Sequence, residues 1–204
     1  MRKGFNPESL IWKPLGHLGD LVMLSLLWTV FCLPVVTVGP ASAALYDAAV
    51  HGMRRNDEPL LERFLSTFKR ELKQGVLATL PWLAIPPALF FGLDGLLRLA
   101  PSLALYPWAV LGSAVLLCFF LLCVQCWLWP TLSRFEMKLG ALLTTSLRLA
   151  LGHILCSAAM AILWGAVLWT GLHWVFPLFV GPGLAALLCS FLIEPVFRRY
   201  EEKY

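Results

Sequence analysis

The chain has 204 residues, of which 59% are hydrophobic and 14% charged, and its formal net charge is +4. An ordinary soluble domain carries about 25% charged residues, so the composition excludes a soluble globular protein. The basic residues lie in short loops rather than along one stripe, which excludes nucleic acid as a partner.

Apolar runs close to or above the ~20 residues that cross a hydrocarbon core about 30 Å thick occupy 18–36, 76–97, 103–129, 151–175 and 177–197. The short apolar-polar alternation of a membrane barrel is missing, so the runs are helices. No polar stretch is long enough to build a core of its own. The expectation is an all-α fold: a polytopic transmembrane helix bundle with five full spans plus one short membrane-embedded helix and amphipathic interfacial helices. Residues 1–204 then form one membrane domain, with the lipid bilayer as its surroundings.

The first segment, 18–53, reads as a broken hairpin. Its apolar run stops at Gly39-Pro40 and restarts as an Ala-rich stretch, 40–53, carrying Asp47 and His51. Pro40 suits the first turn of the restarted helix, and Gly39 supplies the backbone freedom that the preceding helix end needs. At about 1.5 Å per residue, 40–53 spans only about 21 Å, too short to cross comfortably. Either it is a second, embedded helix returning the chain to its starting side, or 18–53 is one broken crossing. Ala41-Ser42-Ala43 also has the small residues of a signal-peptide cleavage site. The long polar stretch before the run, with Asp20 in it, favours a retained segment.

Residues 56–75 form an amphipathic helix, with Leu61, Phe64, Leu65, Phe68 and Leu72 at helical spacing. Asn56 is placed to cap it, and the acidic start and basic end suit the helix dipole. It reads either as a helix lying in the headgroup layer or as a partner-docking surface through Arg63, Lys69, Arg70 and Lys73. A transmembrane hairpin, 76–129, follows; an interfacial helix, 136–150, and a second hairpin, 151–197, then repeat the arrangement. STFKRELKQGVL and TTSLRLALGHIL share a Ser/Thr pair, a basic residue and a Gly, as a parallel repeat or as chance likeness between apolar helices.

Basic residues concentrate in 54–73, 134–148 and the tail 198–203, so these segments and the C-terminus are expected in the cytoplasm. Counting the crossings with a hairpin puts the N-terminus there too. Trp127, Trp129, Trp169 and Trp174 read as interfacial anchors.

Within spans, ionisable groups cost roughly 2.5–3.5 kcal/mol at the centre on insertion scales and so mark candidate sites. Asp47 and His51, one turn apart on a shared face, form the candidate intramembrane polar site together with Asp20. Asp94 and Glu194 read as structural pairs with Arg98 and Arg198, one turn further on. Cys123 and Cys126 form a C-x-x-C inside an apolar helix, without the strand-turn-helix setting of a redox motif. No metal-ligand spacing, phosphate-binding Gly loop or nucleophile elbow is present, so neither a metal, nor another cofactor, nor catalytic residues are expected.

The stretch Leu33-Pro34-Val35-Val36-Thr37-Val38-Gly39-Pro40, the Ala43-Ala44-Leu45-Tyr46 segment, and Phe64, Ser66, Phe68-Lys69 and Lys73-Gln74 resemble the YesL family of small bacterial membrane proteins. Gly19-Asp20 fits the same pattern. The resemblance covers about the first third of the chain. It implies several helices in the bacterial cell membrane, no known catalytic residues, and genes near carbohydrate ABC uptake systems and polysaccharide-degrading enzymes. The implied role is an accessory or regulatory component of carbohydrate uptake, with ABC transporter components as partners. The alternative is a small secondary transporter or channel using the polar site on the broken hairpin.

Overall fold

In a computed structural model of the protein, residues 7–55, 59–99, 107–135, 137–174 and 176–201 are described. Among them the fold is all-helical. The α-helices are α1 (Pro7–Phe31), α2 (Val38–Ala48), α3 (Leu60–Leu99), α4 (Pro107–Arg134), α5 (Leu139–Gly152), α6 (Ile154–His173) and α7 (Gly181–Glu201). Among the described residues, two stretches are long and apolar enough to cross a membrane, Gly112–Arg134 of α4 and Ile154–His173 of α6. Leu18–Phe31 of α1 and Gly181–Phe197 of α7 are apolar but shorter.

The break in the N-terminal hairpin falls earlier than its glycine and proline suggest. Pro34 disfavours helical geometry at Leu33, so α1 stops at Phe31 and a short 3-10 turn, Val35–Thr37, leads into α2. The Thr37 hydroxyl lies 2.5 Å from the Phe31 carbonyl and 2.6 Å from that of Pro34. The Phe31 carbonyl is one that the end of α1 leaves without a helical partner, whereas that of Pro34 also accepts the Thr37 backbone N–H at 2.8 Å. Gly39 and Pro40 sit inside the first turn of α2, where Pro is tolerated because its missing N–H has no helical acceptor.

Gly39 serves close packing rather than backbone freedom. A Cβ there would fall 2.7 Å from both the Gly75 carbonyl and the Trp129 ring, and would clash with the Thr79 hydroxyl. The reciprocal Cβ on Gly75 would lie 2.8 Å from Pro40. The backbones of α2 and α3 touch at this point, in the manner of small-residue contacts between membrane helices.

Residues 56–75 and 76–97, expected as an interfacial helix and a separate span, belong to one continuous helix from Leu60 onward. At 1.5 Å per residue its 40 residues reach about 60 Å. The side of α3 that carries Phe64, Thr67, Phe68, Glu71, Gly75 and Ala78 is buried, and it meets α2. The apolar stripe of this amphipathic helix therefore faces the protein's own short helix, not a headgroup layer. Leu61 and Leu72, assigned to the same stripe, point outward.

Two sets of contacts fix the direction of α1. Its Leu21 and Ser25 meet Gly183 at the start of α7, where the Ser25 hydroxyl accepts the Gly183 N–H at 2.9 Å. Its last residue, Phe31, packs edge-on against Phe64 and Phe68 of α3. α1 therefore runs the same way as α7, from the Gly183 end of the bundle towards the end that carries Arg63, Arg70 and Arg134, called below the basic end. α2 then enters from the Gly39–Gly75 contact and leads back to the basic end at Asp47, antiparallel to α3. The link between α1 and α2 thus doubles back partway, and α2 then runs in the same direction as α1, towards the basic end.

Trp127 and Trp129, expected as interfacial anchors, are core residues. Trp127 donates to the Ser157 hydroxyl at 2.8 Å, and that hydroxyl lies 3.0 Å from the Ala150 carbonyl and 2.9 Å from the His153 carbonyl. The three bonds tie α4 to the break at His153 between α5 and α6. Trp169 and Trp174 do lie exposed at the far end of α6.

The Gly39–Gly75 contact predicts that Gly39→Ala lowers the thermal midpoint in detergent, at a cost of about 1–3 kcal/mol for overpacking. Gly95→Ala, whose Cβ meets nothing within 4 Å, should leave the midpoint unchanged or raise it, since Ala favours a helix over Gly. Equal midpoints for Gly39→Ala and the wild type would contradict the close-packing role.

Candidate functional site

At the basic end, α2, α3 and α4 enclose a half-open cavity of about 280 Å³. Asp47, on α2, is buried in its wall. It accepts from Arg63 Nε at 2.5 Å and Nη2 at 3.2 Å, and from the Thr67 hydroxyl at 2.6 Å. His51 Nδ1 stands 3.1 Å from the same carboxylate and 3.2 Å from the Asp47 backbone carbonyl. Both of these partners are acceptors, so Nδ1 carries the proton.

The helix geometry explains the grouping. Asp47 and His51 are one turn apart where α2 widens into a single π-helical stretch, Ala49–Arg55. Arg63 and Thr67 are one turn apart on α3 and rise beside them. On the next turn of α3, Arg70 Nε donates to Glu71 at 2.7 Å, and its Nη2 donates to the Ser133 carbonyl of α4 at 3.0 Å. Gln74 reaches the Met137 carbonyl. Arg134, the last residue of α4, pairs with Glu194 of α7, and its guanidinium lies 5.8 Å from the centre of the Phe197 ring.

The structure thus brings Asp47 and His51 together as the sequence spacing implies. It separates them from Asp20, which neighbours Leu21 at the Gly183 end and takes no part in the cavity wall. The proposed docking set divides: Arg63 and Arg70 line the cavity, whereas Lys69 and Lys73 face outward. Glu194 pairs with Arg134 of α4. The side chains of Asp94, Arg98 and Arg198 fall outside the described residues. Cys123 and Cys126 lie within α4, and all six cysteines carry free thiols.

Glu71, Arg134 and Ser133 complete the cavity wall and were not singled out from the sequence. A signal existed for Glu71, because it interrupts the Phe64, Phe68, Gly75 face with a charge. Arg134 gave none, since its partner is 60 residues away.

Residues 21–93 match a family described as protein of unknown function, DUF624. The match runs from Leu21 through α2 and most of α3, so it includes Gly39, Asp47, His51, Arg63, Arg70 and Glu71, but not the α4 wall. The chain is similar to that family over this part. No curated protein and no solved structure matches the chain.

Asp47→Ala should destabilise the protein by about 2–3 kcal/mol, because Arg63 and Thr67 lose a shared charged acceptor. In a double-mutant cycle by thermal unfolding, Arg63→Ala should cost much less in the Asp47→Ala background than in the wild type. Additive losses would show that the pair does not act as a unit.

Proposed function

We propose that the protein crosses a bacterial cytoplasmic membrane five times, through α1, α3, α4, α5–α6 and α7, with α2 as a short embedded helix. Its outer surface supports this reading. Only 17% of the Ile154–His173 stretch is buried, and Leu155 and Leu172 are 84% and 83% exposed. The core helix of a soluble protein would be mostly covered, and apolar patches of this extent mark a lipid or protein contact. The concentration of basic residues puts the basic end in the cytoplasm.

Within that frame the protein acts as a non-enzymatic accessory component beside a carbohydrate uptake system, with the arginine-lined cavity as its working site. The YesL-like features of the first third support the association. The observation that carries the accessory role over transport is the engagement of Asp47: four donor atoms already surround it. The transporter alternative requires Asp47 to exchange those partners during each cycle.

Gentle purification from native membranes should recover carbohydrate ABC transporter components with this chain; its recovery alone under detergents that preserve such complexes counts against the accessory role. Proteoliposomes should show no sugar flux above protein-free vesicles. Flux that falls in Asp47→Asn would replace this reading with the transporter. The direction of α1 adds a topological expectation: a reporter placed ahead of α1 should react from outside the cell, and one after α7 only from inside.

A further inference from the structure

In each ion pair of the cavity wall the cation is the accessible member. The side chains of Arg63, Arg70 and Arg134 are 21%, 47% and 18% exposed, against 5%, 9% and 2% for their partners Asp47, Glu71 and Glu194. The carboxylates stand behind the guanidinium groups, so the surface offered to a ligand is cationic although the charges nearly balance. Planar guanidinium forks suit phosphate oxygens, and about 280 Å³ holds roughly nine waters at ~30 Å³ each.

Apolar space adjoins this cavity across Tyr46. Tyr46 stands in its wall and also in that of a neck of about 30 Å³ deeper in the bundle. Ser42, Cys126, Trp129 and Trp164 wall both the neck and a half-open cleft of about 210 Å³ beyond it. Trp28, Val38, Leu122 and Leu168 add apolar lining to the cleft, whose polar side chains are Gln125 and Ser42, the latter accepting the Trp28 N–H at 3.1 Å. A hydrophilic solute would exchange water for few partners there. A hydrocarbon chain loses nothing.

We propose that cavity, neck and cleft form one binding site for an anionic, phosphate-bearing amphiphile. Its phosphate sits against Arg63, Arg70 and Arg134, and its hydrocarbon lies in the tryptophan-walled cleft. The neck admits about one water or methylene group at a time, so the Tyr46 ring turns aside as the chain enters. The inference rests on the reading above that the basic end lies at the inner headgroup layer, and it names the ligand class of that same cavity.

The test is native mass spectrometry of the delipidated full chain, titrated with phosphatidylglycerol or with phosphatidylcholine of the same acyl chains, alongside calorimetry with inorganic phosphate. Phosphatidylglycerol should bind about tenfold tighter than phosphatidylcholine, and Arg70→Gln should remove that preference, as expected for one charge-assisted bond. Leu122→Trp, which fills the cleft, should weaken phosphatidylglycerol without changing the response to inorganic phosphate. Equal affinity for the two lipids, or an unchanged preference in Arg70→Gln, overturns the assignment of an anionic headgroup to the arginines. Unchanged lipid affinity in Leu122→Trp, or inorganic phosphate binding as tightly as phosphatidylglycerol, overturns the amphiphile. Because Arg70 also holds Glu71 and the Ser133 carbonyl, both variants are compared with the wild type at matched thermal midpoints, and retained inorganic-phosphate binding in Leu122→Trp serves as the second check on the fold. Loss of the uptake partner or of the expected topology would leave these affinities untouched, which separates the two readings.

Discussion

The buried carboxylate of Asp47 is the constraint on which the rest of the basic end depends. A charge on a short, Ala-rich helix is tolerable only where several donors converge on it, and here Arg63 and Thr67 of α3 do so. Meeting them requires α2 to lie antiparallel to α3 at one register. The Gly39–Gly75 contact, about two turns of α2 away, imposes the same register through shape. Polar and steric fixings at the two ends of an 11-residue helix thus define a single docked position. With α2 held there, α3 can present Arg70 and Gln74 to the end of α4, and the cavity acquires its third wall.

The path of the N-terminal segment follows from the same docking. Because α2 occupies the space beside α3 without spanning the bundle, α1 has to cover the full distance from Gly183 to Phe64 and Phe68. The reversal at Leu33-Pro34 is a partial return, stabilised by Thr37 over the end of α1. The link itself, Leu33 to Val36, lies exposed on the surface, and its hold on the fold comes from Thr37 and the buried start of α2.

Much of this was legible in the sequence, and the parts that were not have definite physical causes. Periodicity exposed the helices, and spacing alone placed Asp47 beside His51. The amphipathic pattern of 60–75 was also plain, but a stripe of Phe64 and Phe68 cannot say whether lipid or another helix covers it. Gly39 looked like a turn residue because it precedes a proline; its role emerges only when Gly75, 36 positions on, comes into contact. Trp127 and Trp129 lie close to the end of their run, which is where anchors occur, yet the bundle is deep enough at that level to enclose them. Arg134 and Glu194 illustrate the general limit: a pair joined across the fold leaves no trace in local spacing.

The shortness of α2 also has a consequence for biogenesis. An 11-residue segment with a carboxylate near its end is a poor substrate for lateral release into lipid on its own, because it reaches only about 16 Å. Its donors and its glycine groove both belong to α3, which leaves the ribosome later. α2 can therefore dock only after the segment containing Arg63, Thr67 and Gly75 has emerged. The order of translation and the order of assembly differ at this one helix, and α3 is what carries it into place.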